Sequence, residues 1–231
     1  MVGYEGTACQ RRSRGALFHT DAVQAIGKIP VNIDDLGVDL LSLSGHRFHG
    51  PKGVGVLYVR EGIELESLVH GGQQERCLRA GTENVAAIAG SGKAAELAAA
   101  SLYEAAEMAV LRDQLETGMP SLVPGAVCNG HPTLRLPNTL NMILPGLRGE
   151  SVVIALGRRG IALSSGSAYK SGNPEPTHVL LAMGHSSEEA HCAIRFSLSR
   201  QTTEDDVDNT LSALEQVLDE LETTVRFLPC K

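Results

Sequence analysis

VDLLSLSGHRFHGPKGVGVLY, residues Val38 to Tyr58, is the stretch on which the reading of the whole chain turns. An apolar run from Val38 to Leu43 is followed by a polar segment rich in glycine and histidine. A second apolar run occupies Val54 to Tyr58. Short runs of this kind on either side of Gly45, Gly50, Pro51, Gly53 and Gly55 predict two strands joined by a sharply shaped loop. Ser44, His46, Arg47 and Lys52 set polar groups beside that loop, and glycines let the backbone approach a bound anion such as a phosphate. A solvated hairpin with its basic residues in water reads equally well from spacing alone.

Upstream, Ala16 to Thr20 predicts a short strand and Asp21 follows it directly. The segment Asp21 to Gly27 predicts a helical turn stopped by glycine. A carboxylate at the carboxyl end of a strand is where α/β units meet ligands, and it is equally a good helix N-cap. Downstream, His70 to Asn84 carries two glycine sites, two arginines and Thr82, which fits an anion-binding loop or a subunit contact. From Asn84 the chain is rich in Ala and Glu and predicts one long helix, bent at Gly90 and Gly92 and ended by Gly118 and Pro120.

Beyond that helix, strands are expected at 138–144, 161–164 and 195–199, and helices at 150–159 and 177–184. Ser186 to Glu189 is spaced as a capping box, and Thr203 as the N-cap of a last helix. The apolar face of that helix is Val207, Leu211, Leu214, Val217, Leu218 and Leu221, the spacing of ordinary core packing. The small-residue loop 164–176 contains Tyr169 and reads either as a functional loop or as a linker. Arg195, on the expected final strand, could clamp a carboxylate bidentately or simply face solvent.

The 231 residues are 42% hydrophobic and 20% charged, with a formal net charge of -7, which suits a globular protein and argues against a nucleic-acid or anionic-membrane surface. No apolar run is long enough to span a bilayer, and no apolar segment follows the basic residues near the start. A cytoplasmic protein is the expectation. The five cysteines are scattered without paired spacing, which favours free thiols over disulfides or a zinc site.

Five motifs in order, HTDAVQ, SLSGHRFHGPKGVG, GGQQER with RAGTEN, GIALSSGSA with the following SG and HVL, and IRFSLSR, closely resemble the cysteine desulfurases. These are fold-type I enzymes dependent on pyridoxal 5'-phosphate (PLP), and they include the selenocysteine lyases. The resemblance implies an α/β fold: the carboxyl-terminal part of a PLP-binding large domain over 1–95, then a connecting helix and a complete α+β small domain over 96–231. It implies removal of sulfur from L-cysteine to give alanine, with sulfur supplied to iron-sulfur clusters or other thio-cofactors. It also implies a homodimer, with an iron-sulfur scaffold or sulfur-acceptor protein as partner.

By the same resemblance, Asp21 would pair with the pyridine nitrogen of PLP and Gln24 would hydrogen-bond its ring hydroxyl. Ser44 and His46 would bind the phosphate, Thr82 would reach the phosphate in the partner subunit's site, and Arg195 would hold the substrate α-carboxylate. Two positions depart from the family pattern. Arg47 stands where the family has the lysine that forms a Schiff base with PLP, and a guanidinium cannot form that bond. Tyr169 stands where the family has its nucleophilic cysteine, and a phenol with a reference pKa of about 10 does not replace a thiolate. Lys52 and Lys170 do not match positions from which the family bonds PLP, and Cys77 and Cys230 read as incidental thiols. The amino-terminal portion of the family, with its phosphate loop and the histidine that stacks on PLP, has no counterpart here. The expectation is therefore a family member impaired or inactive as it stands. The alternatives are a non-catalytic, degenerate paralogue that binds or dimerises, and one half of a split enzyme.

Overall fold

The computed structural model describes residues 15–165 and 175–226, with side chains as far as residue 221. The chain divides into two compact units, Met1–Tyr103 and Glu104–Lys231.

The first unit is built on a three-stranded sheet of β1 (His19–Asp21), β2 (Leu40–Ser44) and β3 (Gly55–Val59), in that order. β1 runs parallel to β2, and β2 runs antiparallel to β3. The ladder starts at His19, later than the apolar run at Ala16 suggests. The N–H of Phe18 is taken by the Asp39 carboxylate at 2.8 Å, and the Phe18 carbonyl already serves Asp39 and Leu40. Between β1 and β2 the expected helical turn appears as a hydrogen-bonded turn over 23–28, too short to count as a helix, in which the Ile26 N–H reaches the Ala22 carbonyl at 3.2 Å and Gly27 takes a positive φ. A single turn of helix follows, α1 (Ile33–Leu36), capped by Asn32 and stopped by Gly37 in the left-handed region.

A 3₁₀ turn, Gly45–Phe48, follows β2 directly. It packs on α2 (Val85–Ala100) through Phe48, Ala94 and Ala98, with Ile26 and Leu43 against them. This contact explains the glycines. A Cβ on Gly45 would come within 2.4 Å of Ser91 Oγ, and one on Gly90 within 2.8 Å of Pro51. Gly90 therefore makes room for the loop, and α2 continues through Gly90 and Gly92.

The single long helix expected from Asn84 is two helices. α2 stops at Ala100, a 3₁₀ turn covers Leu102–Glu104, and α3 runs over Ala105–Leu122. Ser101 turns its hydroxyl back to the Ala98 carbonyl, a bond by which serine competes with helix propagation. Gly118 and Pro120 do not end α3. Gly118 lies under Leu211, whose side chain a Cβ would meet at 2.7 Å, and Pro120 occupies the last turn before the Val123 N–H closes on Met119.

The second unit is a four-stranded antiparallel sheet of β4 (Val127–Cys128), β5 (Thr139–Ile143), β6 (Ser164–Ser165) and β7 (Ala193–Ser197) in the order β4-β5-β7-β6. The segment 161–163 stays out of the ladder because the Ile161 N–H returns to the Leu156 carbonyl at the end of α4 (Gly149–Gly157). Leu140, Met142, Ile194 and Phe196 turn one face of this sheet into a core with Leu115 and Met119 of α3 and Val207, Leu214 and Val217 of α7 (Glu204–Arg226). Between β6 and β7 lie α5 (His178–Ala182) and α6 (Ser187–His191). The α6 capping box is closed as its spacing predicts: Ser186 N–H donates to Glu189 at 2.7 Å and Glu189 N–H to Ser186 Oγ at 3.2 Å. Thr203 and Asp206 cap α7 in the same reciprocal way. Among the described residues no helix is long and apolar enough to cross a membrane, and no cluster of side chains suits a metal ion.

Candidate active site

Because β1 and β2 are parallel, their carboxyl ends fall on the same edge of the sheet, and Asp21 and Ser44 are those two ends. The register places Asp21 beside Ser42, so His19, Asp21, Ser42 and Ser44 share one face, by the alternation of a strand. His19 Nε2 meets Ser42 Oγ at 2.5 Å across the strands. Neither residue stood out in the sequence; the signal for them was their offset of two from Asp21 and Ser44.

Asp21 is exposed, and its Oδ1 accepts the Val23 N–H at 2.9 Å. This is the turn-capping bond that the sequence also allowed, and among the described residues the second carboxylate oxygen has no partner. Gln24 lies exposed in the same turn. Ser44 sits at the N-cap of the 3₁₀ turn yet gives its hydroxyl no capping role. Its Oγ instead pairs with His46 Nδ1 at 2.9 Å. The Gly50 N–H donates to the Gly45 carbonyl at 2.8 Å and closes the loop on itself, an approach that a Cβ on Gly50 would block.

Arg47 is exposed, and its backbone carbonyl receives Lys28 Nζ at 3.0 Å. Burial, and then the Arg47 charge, lower the pKa of Lys28 below the ordinary lysine value. Sequence reasoning passed over this lysine, which is nineteen positions from Arg47 and brought to it only by the fold. Lys52 is exposed in the loop. Thr82 is exposed just ahead of α2, and Cys77 lies on a turn where Glu75, Arg76 and Cys77 all have positive φ (48°, 56° and 66°).

Arg195 belongs to the second unit, on β7 between Asn141 of β5 and Ser164 of β6. Its Nη2 donates to Ser164 Oγ at 3.2 Å, while its buried Nε has no partner among the described residues. Tyr169 and Lys170 lie outside the described residues, as do Cys9 and Cys230.

The first-unit residues fit the non-covalent half of a PLP site. They offer a carboxylate oxygen for a ring nitrogen and a serine-histidine pair beside a glycine loop for a phosphate. Position 47, where the family resemblance would place the PLP-bonding lysine, carries a guanidinium, which does not suit the covalent half.

The aminotransferase class-V family model matches residues 6–210. "Cysteine desulfurase 2" of Trichormus variabilis is 46% identical over 223 residues, which are 96% of this chain and 56% of that protein. "Cysteine desulfurase NifS" of Azotobacter vinelandii is 48% identical over 208 residues, 90% of this chain and 52% of that one. Among solved structures, a NifS-like protein superposes with a TM-score of 0.82 at 42% identity, over 91% of this chain and 55% of the other. A second, from Rickettsia africae, superposes with a TM-score of 0.84 at 32% identity, over 93% of this chain and 57% of the other. The chain spans about half the length of the curated relatives it matches.

Proposed function

Because the chain belongs to the aminotransferase class-V family and groups there with the cysteine desulfurases, we propose that it holds PLP without bonding to it and, as it stands, does not remove sulfur from L-cysteine. The carrying observation is Arg47, a permanently protonated side chain at the end of the loop that presents Ser44 and His46. When bound, PLP supplies an electron sink. Asp21 would pair with its ring nitrogen, Gln24 with its ring hydroxyl, and Ser44, His46 and Thr82 with phosphate, Thr82 at the partner's site of a homodimer. Arg195 would take the substrate α-carboxylate. Tyr169, in place of the family's nucleophilic cysteine, adds a second reason for inactivity. The family setting favours a cytoplasmic protein working beside an iron-sulfur scaffold or sulfur acceptor.

The test is sulfide release from L-cysteine by the purified chain with PLP and a reductant. Turnover above that of free PLP would contradict the proposal. Arg47→Lys combined with Tyr169→Cys asks whether those two positions alone withhold activity.

A second reading, a non-catalytic paralogue that dimerises or complements another polypeptide, is favoured by apolar exposure in the first unit. Val56 and Leu57 are neighbours on β3, so they face opposite sides of the sheet, and both are about half exposed. Val85 and Ile88 are exposed one turn apart on α2. Analytical ultracentrifugation decides whether a second copy covers these surfaces; a monomer throughout the micromolar range would oppose the dimer.

A further inference from the structure

The register of the second sheet lines up a polar row. Met142 pairs with Cys128 and the Asn129 N–H donates to the Asn141 carbonyl at 2.8 Å, so Asn129 stands beside Asn141. Asn141 stands beside Arg195, and Arg195 beside Ser164. These four share the face opposite the one that Leu140, Met142, Ile194 and Phe196 bury.

The row is tied at both ends. Asn129 Nδ2 donates to Asn141 Oδ1 at 2.6 Å, and Arg195 Nη2 donates to Ser164 Oγ at 3.2 Å. Between these ties lies an unanswered charge. Among the described residues no carboxylate pairs with Arg195, and its buried Nε is unpartnered. A guanidinium with a dry, unpartnered donor gains most from an anionic ligand with two oxygens.

We infer that Ser164 is a positioning residue: its hydroxyl holds the guanidinium plane of Arg195 so that the remaining donors meet a ligand carboxylate together. The serine touches the arginine and acts on the ligand through it. Without the hydroxyl the long arginine side chain regains rotamers that do not present the fork, and that ordering cost falls on binding. Threonine retains the hydroxyl and suits a strand. The inference rests on the reading of Arg195 as a carboxylate anchor.

The test uses the full ¹⁵N-labelled chain titrated with L-alanine, and with L-alaninamide as the same molecule without a carboxylate. The readout is the Nε–H resonance of Arg195, identified by its loss in Arg195→Lys, together with the ligand's own line broadening. L-alanine is expected to shift the resonance and the amide to leave it in place. Ser164→Ala is expected to weaken L-alanine binding by about five- to ten-fold, the net worth of one ordinary hydrogen bond, because the serine acts on the ligand only through the arginine. Ser164→Thr should restore it to within about two-fold of wild type, with sheet amide resonances unchanged in all variants. Wild-type affinity in Ser164→Ala, with binding lost in Arg195→Lys, would overturn the positioning role and leave the anchor intact. Undiminished line broadening in Arg195→Lys, or no response to L-alanine in wild type, would overturn the anchor and the inference with it.

Discussion

Lys28 donates its ammonium to the backbone carbonyl of Arg47 at 3.0 Å, so two cations meet at the end of one short turn. Burial and the Arg47 charge both lower the Lys28 pKa, burial being the larger cause. Arg47→Gln is therefore expected to raise the Lys28 pKa, though not to the ordinary lysine value, because the burial persists. Linkage fixes the sign for stability. Between the lowered folded pKa and the unfolded one, the unfolded chain binds more protons, so stability rises with pH across that alkaline window. Lysine-selective NMR titration of wild type and variant checks the shift, and an unchanged Lys28 titration would break the assigned coupling.

Phe48→Ala should destabilise the first unit by about 3–5 kcal/mol, the usual cost of emptying a buried aromatic site. Phe48, Ala94 and Ala98 form the contact that seats the loop on α2, and Phe48 is 5% exposed. Urea denaturation followed by first-unit amide signals measures it, and a loss below about 1 kcal/mol would show that the loop is held by something else.

Gly45→Ala should cost about 1–3 kcal/mol, because its Cβ falls 2.4 Å from Ser91 Oγ and near Val54 and the Pro51 carbonyl. The same displacement moves Ser44 and His46, so phosphate binding is expected to weaken together with stability. Isothermal titration with PLP beside a thermal melt separates the two effects, and unchanged values in both would remove the steric argument.

Asp206 and Glu189 both have pKa values below the usual carboxylate range, through the Thr203 and Ser186 N–H groups they accept. Depressed carboxylates stabilise the fold above their unfolded pKa, and that contribution is lost as pH falls through the folded value. Asp206→Asn should lower the melting temperature at neutral pH, with the gap to wild type closing towards acid. Parallel melts over about pH 7 to pH 3 test the sign, and a gap that widened would reverse it.

The second unit should outlast the first under limited proteolysis. Its core gathers Met119, Leu140, Leu156, Ile194 and Leu214, each fully buried, whereas among the described residues the first unit buries fewer large apolar side chains, chiefly Phe18, Val38, Leu41 and Phe48 with small alanines around them. Resistance of both units to the same degree would contradict the comparison.

The features legible in the sequence were the local ones. The capping box at Ser186 and the N-cap at Thr203 each depend on four consecutive residues, and both are in place. The flanking strands of the opening stretch are in place, and the class-V family model spans it. What could not be read depended on distant partners. Gly90 predicts a bend until Pro51 is seen against it, and Gly118 predicts a helix end until Leu211 covers it. The break falls at Ser101, whose N–H closes on the Leu97 carbonyl and whose hydroxyl turns back to that of Ala98. Lys28 beside Arg47, and Ser164 beside Arg195, are joined across 19 and 31 positions, and no local pattern marks them.

The central claim, that the loop can hold PLP but cannot bond to it, is tested most directly by borohydride reduction of the chain with one equivalent of PLP, followed by intact and peptide mass measurement. Wild type is expected to show no stoichiometric adduct. Arg47→Lys is expected to show one, on the peptide spanning residue 47. A single stoichiometric adduct in the wild-type chain, on Lys28, Lys52 or any other lysine, would contradict the account.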